Sequence, residues 1–419
     1  MAIETTGEST ALITNDAVVL GLLAVTLGAV FWTSARETGF WKRFYGVVPA
    51  LLLCYLLPAI YNSVGLIDGA ASGLYPMARD FLLPAALVLL CVAIDFKAIV
   101  RLGPKAVIMF LTGTLGVMLG AVVAFVAMRA IHPETVGGET WRGMTTVAGA
   151  WIGGGANQAA MKEVFAVDAT LFGQFVAVDV LVASVWLAVL LFLAGRSAAF
   201  DRWTGADLTA IDDLKRRVEA YQAEHTRIPT LTDLVVIVAI GLGATGLAHA
   251  ITDPLVAWLG TLPAEWRLQD YSLTARFFWI TVLATTFGLA LSFTRARRTE
   301  GVGASRVGSL FLYVLVATIG MQMDLSALLD RPLLFLMGLI WIVTHGVLML
   351  VVAKLIRAPL FFVAVGSQAN IGGAASAPVV ASAFHPALAP VGVLLAVLGY
   401  ALGTYGAYLT GLVLQGLAT

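Results

Sequence analysis

The sequence predicts an all-α, polytopic membrane protein of two inverted repeats. Each repeat holds about five transmembrane helices plus a glycine-rich re-entrant hairpin or broken helix. Three observations predict this. The 419 residues are 60% hydrophobic and only 12% charged, with a mean hydropathy of +0.92, whereas soluble domains carry roughly 25% charged residues. Two polar, glycine-rich stretches interrupt the apolar runs. The basic loops share one side of a membrane only if one apolar segment fails to cross.

Apolar segments lie at about 15–34, 46–62, 78–95, 106–130, 143–166 and 170–195, then at about 231–252, 273–292, 306–323, 333–353, 360–384 and 388–415. Their lengths suit a hydrocarbon core of roughly 30 Å. Glu4, Glu8 and Asp16 precede or open the first run, which lacks the basic start of a signal peptide, so the first span itself would direct insertion. Cys54 and Cys91 each sit inside an apolar run and read as small buried hydrophobes, with no disulfide framework or metal spacing. A formal net charge of +0 gives no reason to expect nucleic acid as a partner.

Orientation follows from the cations. Arg36, Lys42 and Arg43 follow the first segment, and Lys97, Arg101 and Lys105 the third. Arg295, Arg297, Arg298 and Arg306 follow the eighth, and Lys354 and Arg357 the tenth. All belong inside by the positive-inside rule. The intervening loops carry Asp68, Glu134 and Glu139, then Asp253, Glu265, Asp270 and Asp330. Between the loops at Lys97 and Arg295 lie the fourth to eighth segments, and an even number of them must cross. The fifth, with its glycine break, is the segment expected to enter and leave on one side. The eleventh, treated alike, enters from the opposite side.

The chain then divides into an N-terminal membrane repeat, 1–195, a cytoplasmic linker helix, 196–230, and a C-terminal membrane repeat, 231–419. In the linker Leu208, Ile211, Leu214, Val218 and Tyr221 recur at helical spacing before Pro229, with charges alternating in sign, as on a solvated connecting helix. Between the halves, Ile152-Gly153-Gly154 recurs 219 residues later as Ile371-Gly372-Gly373, and Phe165 and Gly173 recur as Phe384 and Gly392. Asp95 and Asp324 each end an apolar segment shortly before a proline, and with Gln322 they read as capping or interfacial groups.

The two glycine stretches carry the expected site. Trp151–Ala160 contains Gly153, Gly154, Gly155, Asn157 and Gln158; Ser367–Pro378 contains Ser367, Gln368, Asn370, Gly372, Gly373 and Ser376. Glycine frees the backbone, the amides bring donors and acceptors, and non-helical backbone at membrane depth needs protein or a water-filled cavity around it. Helix termini at such breaks aim N–H groups at anions and carbonyls at cations. The competing reading is close glycine packing with amides as interhelical ties. Asp179, inside the sixth segment, costs roughly 2.5–3.5 kcal/mol to insert when ionised; it is read as the ion-coupling group for Na⁺ or H⁺, with Gln174 and Thr404 as further candidates. A structural pair or a protonated carboxyl is the alternative. Tyr400, Thr404 and Tyr405 are expected to face the second stretch. Lys162 and Glu163 are adjacent residues and, on one helix, are not expected to face each other. His345 is a weak proton-relay candidate. Gly241-Leu242-Gly243-Ala244-Thr245-Gly246 fits a dinucleotide-binding pattern, but it lies in a membrane span rather than a strand and turn, and is read as packing glycine. No metalloprotease, phosphate-loop or nucleophile-elbow motif is present, so no enzyme is expected.

At Trp151–Glu163 (WIGGGANQAAMKE), Ser367–Pro378 (SQANIGGAASAP) and Ile211–Leu231 (IDDLKRRVEAYQAEHTRIPTL) the chain resembles the bacterial DUF819 family. That family is grouped with the cation/proton antiporter and anion transporter superfamily, and more distantly looks like the sodium–glutamate and citrate symporters. The resemblance implies inverted five-helix repeats, a homodimer in the bacterial inner membrane, an elevator mechanism and solute contacts at the hairpin tips. The second stretch departs from the first, with Ala374 in place of Gly155 and Pro378 in place of Ala159.

The expected function is ion-coupled secondary transport of a small, polar, carboxylate-bearing solute, such as an amino acid, organic acid or short peptide. The runner-up is a monovalent cation/proton antiporter without organic solute, which Leu398 at the position matching Asp179 disfavours by supplying no second carboxylate. No cofactor beyond Na⁺ or H⁺ is expected. A single cysteine introduced within 196–230 should react with a membrane-impermeant maleimide only from the cytoplasmic side; labelling from outside would overturn the crossing count.

Overall fold

The computed structural model describes residues 11–36, 38–45, 48–206, 228–269, 271–323, 331–385 and 388–419. In chain order the first half contains α1 (Asp16–Ser34), α2 (Gly39–Tyr45), α3 (Ala50–Ser63), α4 (Leu74–Val92), α5 (Phe96–Arg101), α6 (Pro104–Ile131), α7 (Thr140–Gly153), α8 (Gly155–Val164), α9 (Ala169–Ala194) and α10 (Ser197–Thr204). The second half contains α11 (Leu231–Leu259), α12 (Arg276–Ser292), α13 (Ala304–Gly320), α14 (Leu333–Ile356), α15 (Leu360–Ile371), α16 (Gly373–Phe384) and α17 (Ala389–Ala418). Asp324 and the linker positions 207–227 lie outside the described residues.

Local chemistry sets the boundaries. Asn15 caps α1 by accepting from the Ala17 N–H at 2.8 Å, Asp168 caps α9 through the Leu171 N–H at 2.9 Å, and Thr230 with Asp233 forms a capping box on α11. Asp95 caps α5 through the Ala98 N–H, as its position suggested, but it is buried rather than water-exposed and pairs with Arg297. Within α4 a π-helical turn, Ala78–Leu82, immediately precedes Pro84 in the next turn. Such a turn inserts a residue where proline would otherwise crowd a carbonyl.

Among the described residues seven helices, α1, α4, α6, α9, α11, α14 and α17, are long and apolar enough to cross a membrane, and two bent pairs, Gly39–Tyr45 with Ala50–Ser63 and Arg276–Ser292 with Arg295–Val302, are so if each is one span. The chain is therefore a multi-pass membrane protein. The sequence suggested ten crossings. Three of those segments form shorter helices, α3 with 14 residues and α12 and α13 with 17 each. Seventeen residues rise about 26 Å, just under the ~30 Å of hydrocarbon.

The helices pack in two groups that cut across the halves. α1, α3, α4, α11, α12 and α13 pack mainly on one another, as do α6 to α9 with α14 to α17. α17 and α8 touch α4 and α12 where the groups meet. Each half thus gives its earlier helices to one group and its later helices to the other. In the second group, α6 meets α14 and α15 along a glycine face. A Cβ at Gly113, Gly116 or Gly120 would fall 2.7, 3.0 and 2.5 Å from atoms of Asn370, His345 and Trp341. On α17, Gly392 meets Ala377 backbone, and Gly399 and Gly403 meet Ile152 and Gly153. Small residues here allow the close approach that dispersion and interhelical hydrogen bonds require in lipid. Gly241 belongs to continuous α11 and packs on Leu89, so the dinucleotide pattern has no strand to follow.

Both glycine stretches double the chain back. Trp141 and Phe165, at opposite ends of α7 and α8, have ring centroids 5.7 Å apart, and Arg142 Nη1 donates to the Phe165 carbonyl at 2.7 Å. A straight helix would separate such residues by about 35 Å. Phe361 and Phe384 close α15 on α16 in the same way, at 5.5 Å. Gly154 (φ 77°) and Gly373 (φ 58°), which match at the 219-residue offset, both take a positive φ at the reversal, where a Cβ would be strained.

Candidate solute site between two helix breaks

Asp179 lies on α9 where it passes the tips of both doubled-back pairs. It is buried, 7% exposed. Trp151 Nε1, from the last turn of α7, donates to Oδ1 at 2.6 Å. Gln158 Nε2, from the first turns of α8, donates to Oδ2 at 2.9 Å. Both oxygens accept, and hydrogen bonds of this kind favour the charged form of a carboxyl. Hydrogen bonds to a charged acceptor contribute roughly 1.5–3 kcal/mol each, so the two together, about 3–6 kcal/mol, are of the size needed to offset the roughly 2.5–3.5 kcal/mol insertion cost. Among the described residues Asp179 makes no ion pair.

A cavity of about 200 Å³ opens beside it, lined by Gly154, Gly155 and Gln158 of one tip and by Gln368, Gly372 and Ser376 of the other. Asp179 and Ser184 of α9 complete its polar wall, and Pro49 and Leu51 close it from the first helix group. Gln368 Nε2 donates to Ser376 Oγ at 2.7 Å across the second reversal. Its Oε1 is buried with no hydrogen-bond partner among the described residues. The helices α8 and α16 begin at this cavity, so their positive dipole ends point toward it.

Seven of the expected residues therefore come together: Gly154, Gly155, Gln158, Asp179, Gln368, Gly372 and Ser376. The others do not line the cavity. Asn157 Nδ2 donates to the carbonyls of Gly153 at 3.0 Å and Tyr400 at 2.9 Å, and Oδ1 accepts from Thr404 Oγ1 at 2.6 Å. Asn370 repeats this clasp: Nδ2 donates to the carbonyls of Gly366 and Phe110, both at 2.9 Å, and Oδ1 accepts from Thr114 Oγ1 at 2.8 Å. Each amide is thus saturated, tying α8 to α17 and α15 to α6. Ser367 accepts from Trp186 Nε1 at 2.8 Å and bonds His345 Nε2 at 2.8 Å. His345 Nδ1 faces the Gly113 carbonyl at 3.0 Å. Since that carbonyl only accepts, Nδ1 carries the proton and Ser367 donates to Nε2. His345 is thereby a buried structural tie, not a relay opening to water.

Three expectations are corrected. Tyr400 and Thr404 face the first tip, not the second, because α17 runs between both and its glycines at 399 and 403 admit α7 and α8. Thr404 consequently sits with Asn157 and Thr285, apart from Asp179. Lys162 and Glu163 do meet, at 3.0 Å. Their long side chains converge on Tyr75, whose hydroxyl bonds Lys162 at 2.5 Å and also donates to Glu163. Gln174 is buried on α9 but lies five residues, about 140° of helix, from Asp179. Gly153 packs against Gly403, and Gly373 supplies the turn. Sequence reasoning missed Trp151 as a carboxylate donor. A buried indole N–H needs an acceptor, and that rule applied beside a glycine break would have singled it out.

A chain of many apolar helices with a carboxylate-bearing cavity at two helix reversals is an integral membrane protein. Residues 21–417 match the family model described as "Protein of unknown function (DUF819)", and the chain belongs to that family. It is similar to the "Uncharacterized membrane protein YjcL" of Bacillus subtilis (strain 168), 24% identical over 402 residues, covering 91% of this chain and 94% of that protein.

The clasps carry a prediction. Asn157→Ala or Asn370→Ala strands a buried hydroxyl and loosens one tip, at a cost of about 1–3 kcal/mol. The thermal midpoint in detergent should fall for each; an unchanged midpoint with weakened solute binding would return these amides to the site.

Proposed function

We propose that the protein is a secondary transporter of a small polar solute, held between the two helix reversals and coupled to Na⁺ or H⁺ at Asp179. One observation carries this reading: a cavity enclosed by both tips, which are 219 residues apart in sequence, has a buried carboxylate in its wall. Burying one ionisable group inside a membrane bundle is expensive and is ordinarily reserved for a substrate or ion path. Gly154 and Gly373 match as turns and Phe165 and Phe384 match as closures of the base. These matches support two repeats whose reversals are re-entrant hairpins entering from opposite faces.

The two packing groups support a division of labour. The group holding both reversals, α9 and α17, would be the moving carrier, and the group of α1, α3, α4 and α11 to α13 its scaffold. Displacement of one against the other would expose the cavity to alternate sides, as an elevator. The Lys162–Tyr75–Glu163 contact joins α8 to α4 across this boundary and would have to break in each cycle. A homodimer through the scaffold, in the bacterial inner membrane, belongs to the same proposal.

A second reading rests on a specific feature: among the described residues lining the cavity, Asp179 is the one that carries a charge, with no Lys, Arg or His in the same wall. Exchange of a monovalent cation for a proton at Asp179 would need nothing more. The space beside Gln368 and Ser376 favours a solute over a bare ion.

Reconstituted protein separates these readings. Coupled uptake of a solute into liposomes should fall to the uncoupled background in Asp179→Asn, which keeps the side-chain shape and folds if the Gln158 amide turns over. Wild-type ion dependence in that variant would refute the role of Asp179. Cation/proton exchange with no solute flux would favour the second reading.

A further inference from the structure

We infer that the solute carries an ammonium group, which binds between Asp179 and Gln368 Oε1, so that solute and proton occupy Asp179 by turns and the carrier works by exchange. The inference rests on the solute site proposed above and names its ligand class and its direction of coupling.

The chemistry of the wall leads there. Among the described residues lining the cavity Asp179 is the sole ionisable side chain, and it is acidic. Its donors, Trp151 and Gln158, are neutral, so neither cancels the charge the carboxyl carries when ionised. Gln368 Oε1 is an acceptor without a donor, on a side chain only 1% exposed. Such a group in a native structure calls for a missing partner. An unpaired acceptor beside an uncompensated carboxylate asks for a ligand that is positive and rich in N–H. A primary ammonium, with three donors and no acceptor, satisfies both groups. A carboxylate on the same solute would have the starts of α8 and α16 to face. About 200 Å³ lies below the roughly 300–1,000 Å³ of drug-sized sites, which suits a single amino acid or small amine.

Exchange follows from there being one carboxylate. Once Asp179 takes a proton, it loses its charge and the ammonium loses its partner; once the ammonium is bound, the proton has left to water. No other group nearby stands in for it. From α3, the buried Tyr55 phenol lies within electrostatic reach of Asp179. On α14, His345 is held by Ser367 and Gly113, and Lys354 bonds the Trp203 carbonyl. On α7, Arg142 is engaged at the far end with Glu139 and Phe165. On α8, Lys162 is held by Tyr75 and Glu163. α15 and α16 present only the neutral Gln368 and Ser376.

The test uses the purified full-length protein and thermal stabilisation by matched probes. These are methylammonium, ethanolamine, glycine, L-alanine and L-serine, against glycolate, lactate and glycerate, which carry hydroxyl in place of ammonium. Ammonium-bearing probes should raise the thermal midpoint and the hydroxy acids should not; amino acids outranking ethanolamine would identify a zwitterion, the reverse a simple amine. Below the titration of Asp179 the apparent affinity should fall about tenfold per pH unit. Gln368→Leu, which leaves Asp179 in place, should weaken binding about ten- to hundredfold, and Asp179→Asn should abolish it. A hydroxy acid that stabilises wild type but not Gln368→Leu overturns the ammonium and leaves the solute site standing. Binding of an amine that is independent of pH overturns exchange. No probe of any class sensitive to either substitution removes the site and the inference together.

Discussion

Backbone polar groups in lipid have no water to turn to, and the protein departs from continuous helix in its later helix group at two matched glycine reversals. Everything around those reversals answers that constraint. Gly154 and Gly373 supply the positive φ. α17 threads between the doubled-back pairs with its glycines turned inward, so that backbone packs on backbone. Asn157 and Asn370 each spend a whole amide on neighbouring carbonyls and a threonine. An unsatisfied polar group in such surroundings costs several kcal/mol, and the clasps remove that cost at both tips. What remains without a partner among the described residues of the cavity wall is therefore informative: Gln368 Oε1, in the same wall as a carboxyl that pairs with none of their cations.

The tips are alike in backbone and unlike in side chain. At the 219-residue offset the turn glycines and the closing phenylalanines coincide, while Trp151 stands opposite Asn370 and Asn157 opposite Ser376. The first tip delivers two donors to Asp179. The second offers an unpaired acceptor and a hydroxyl. A pair of repeats with equal halves would build a symmetric site; here the shared backbone plan carries two different jobs, positioning the charge and receiving the ligand.

Much of this was legible in the sequence. Glycine runs inside apolar segments located both reversals, and a lone acid in an apolar run located Asp179, because each is expensive in lipid unless it serves a purpose. The division of roles among the amides was not legible. Asn157, Gln158, Gln368 and Asn370 look equivalent on paper, yet the partners of the two asparagines lie 243 and 260 residues away. Only the packed structure shows which amides are saturated. Thr404 was read with the ion because it is polar within a span, and it proves to serve Asn157. The convergence of Lys162 and Glu163 on Tyr75 depends on α4 lying alongside α8, which no local spacing reveals. The apolar runs of α3, α12 and α13 are legible in the sequence, but where each helix stops is not, and these three end a few residues short of the longest spans.

The central claim is that the two reversals enclose a common, water-reached cavity facing Asp179. Thiol chemistry at Ser376 tests it most directly. Cys54 and Cys91 are buried, so the background reaction is low. In Ser376→Cys, a small water-soluble cationic methanethiosulfonate should modify the new thiol in the folded protein, and faster than an anionic reagent of similar size. A folded variant whose thiol resists both reagents would show that the reversals are packed shut with no aqueous space between them, and the account would fail.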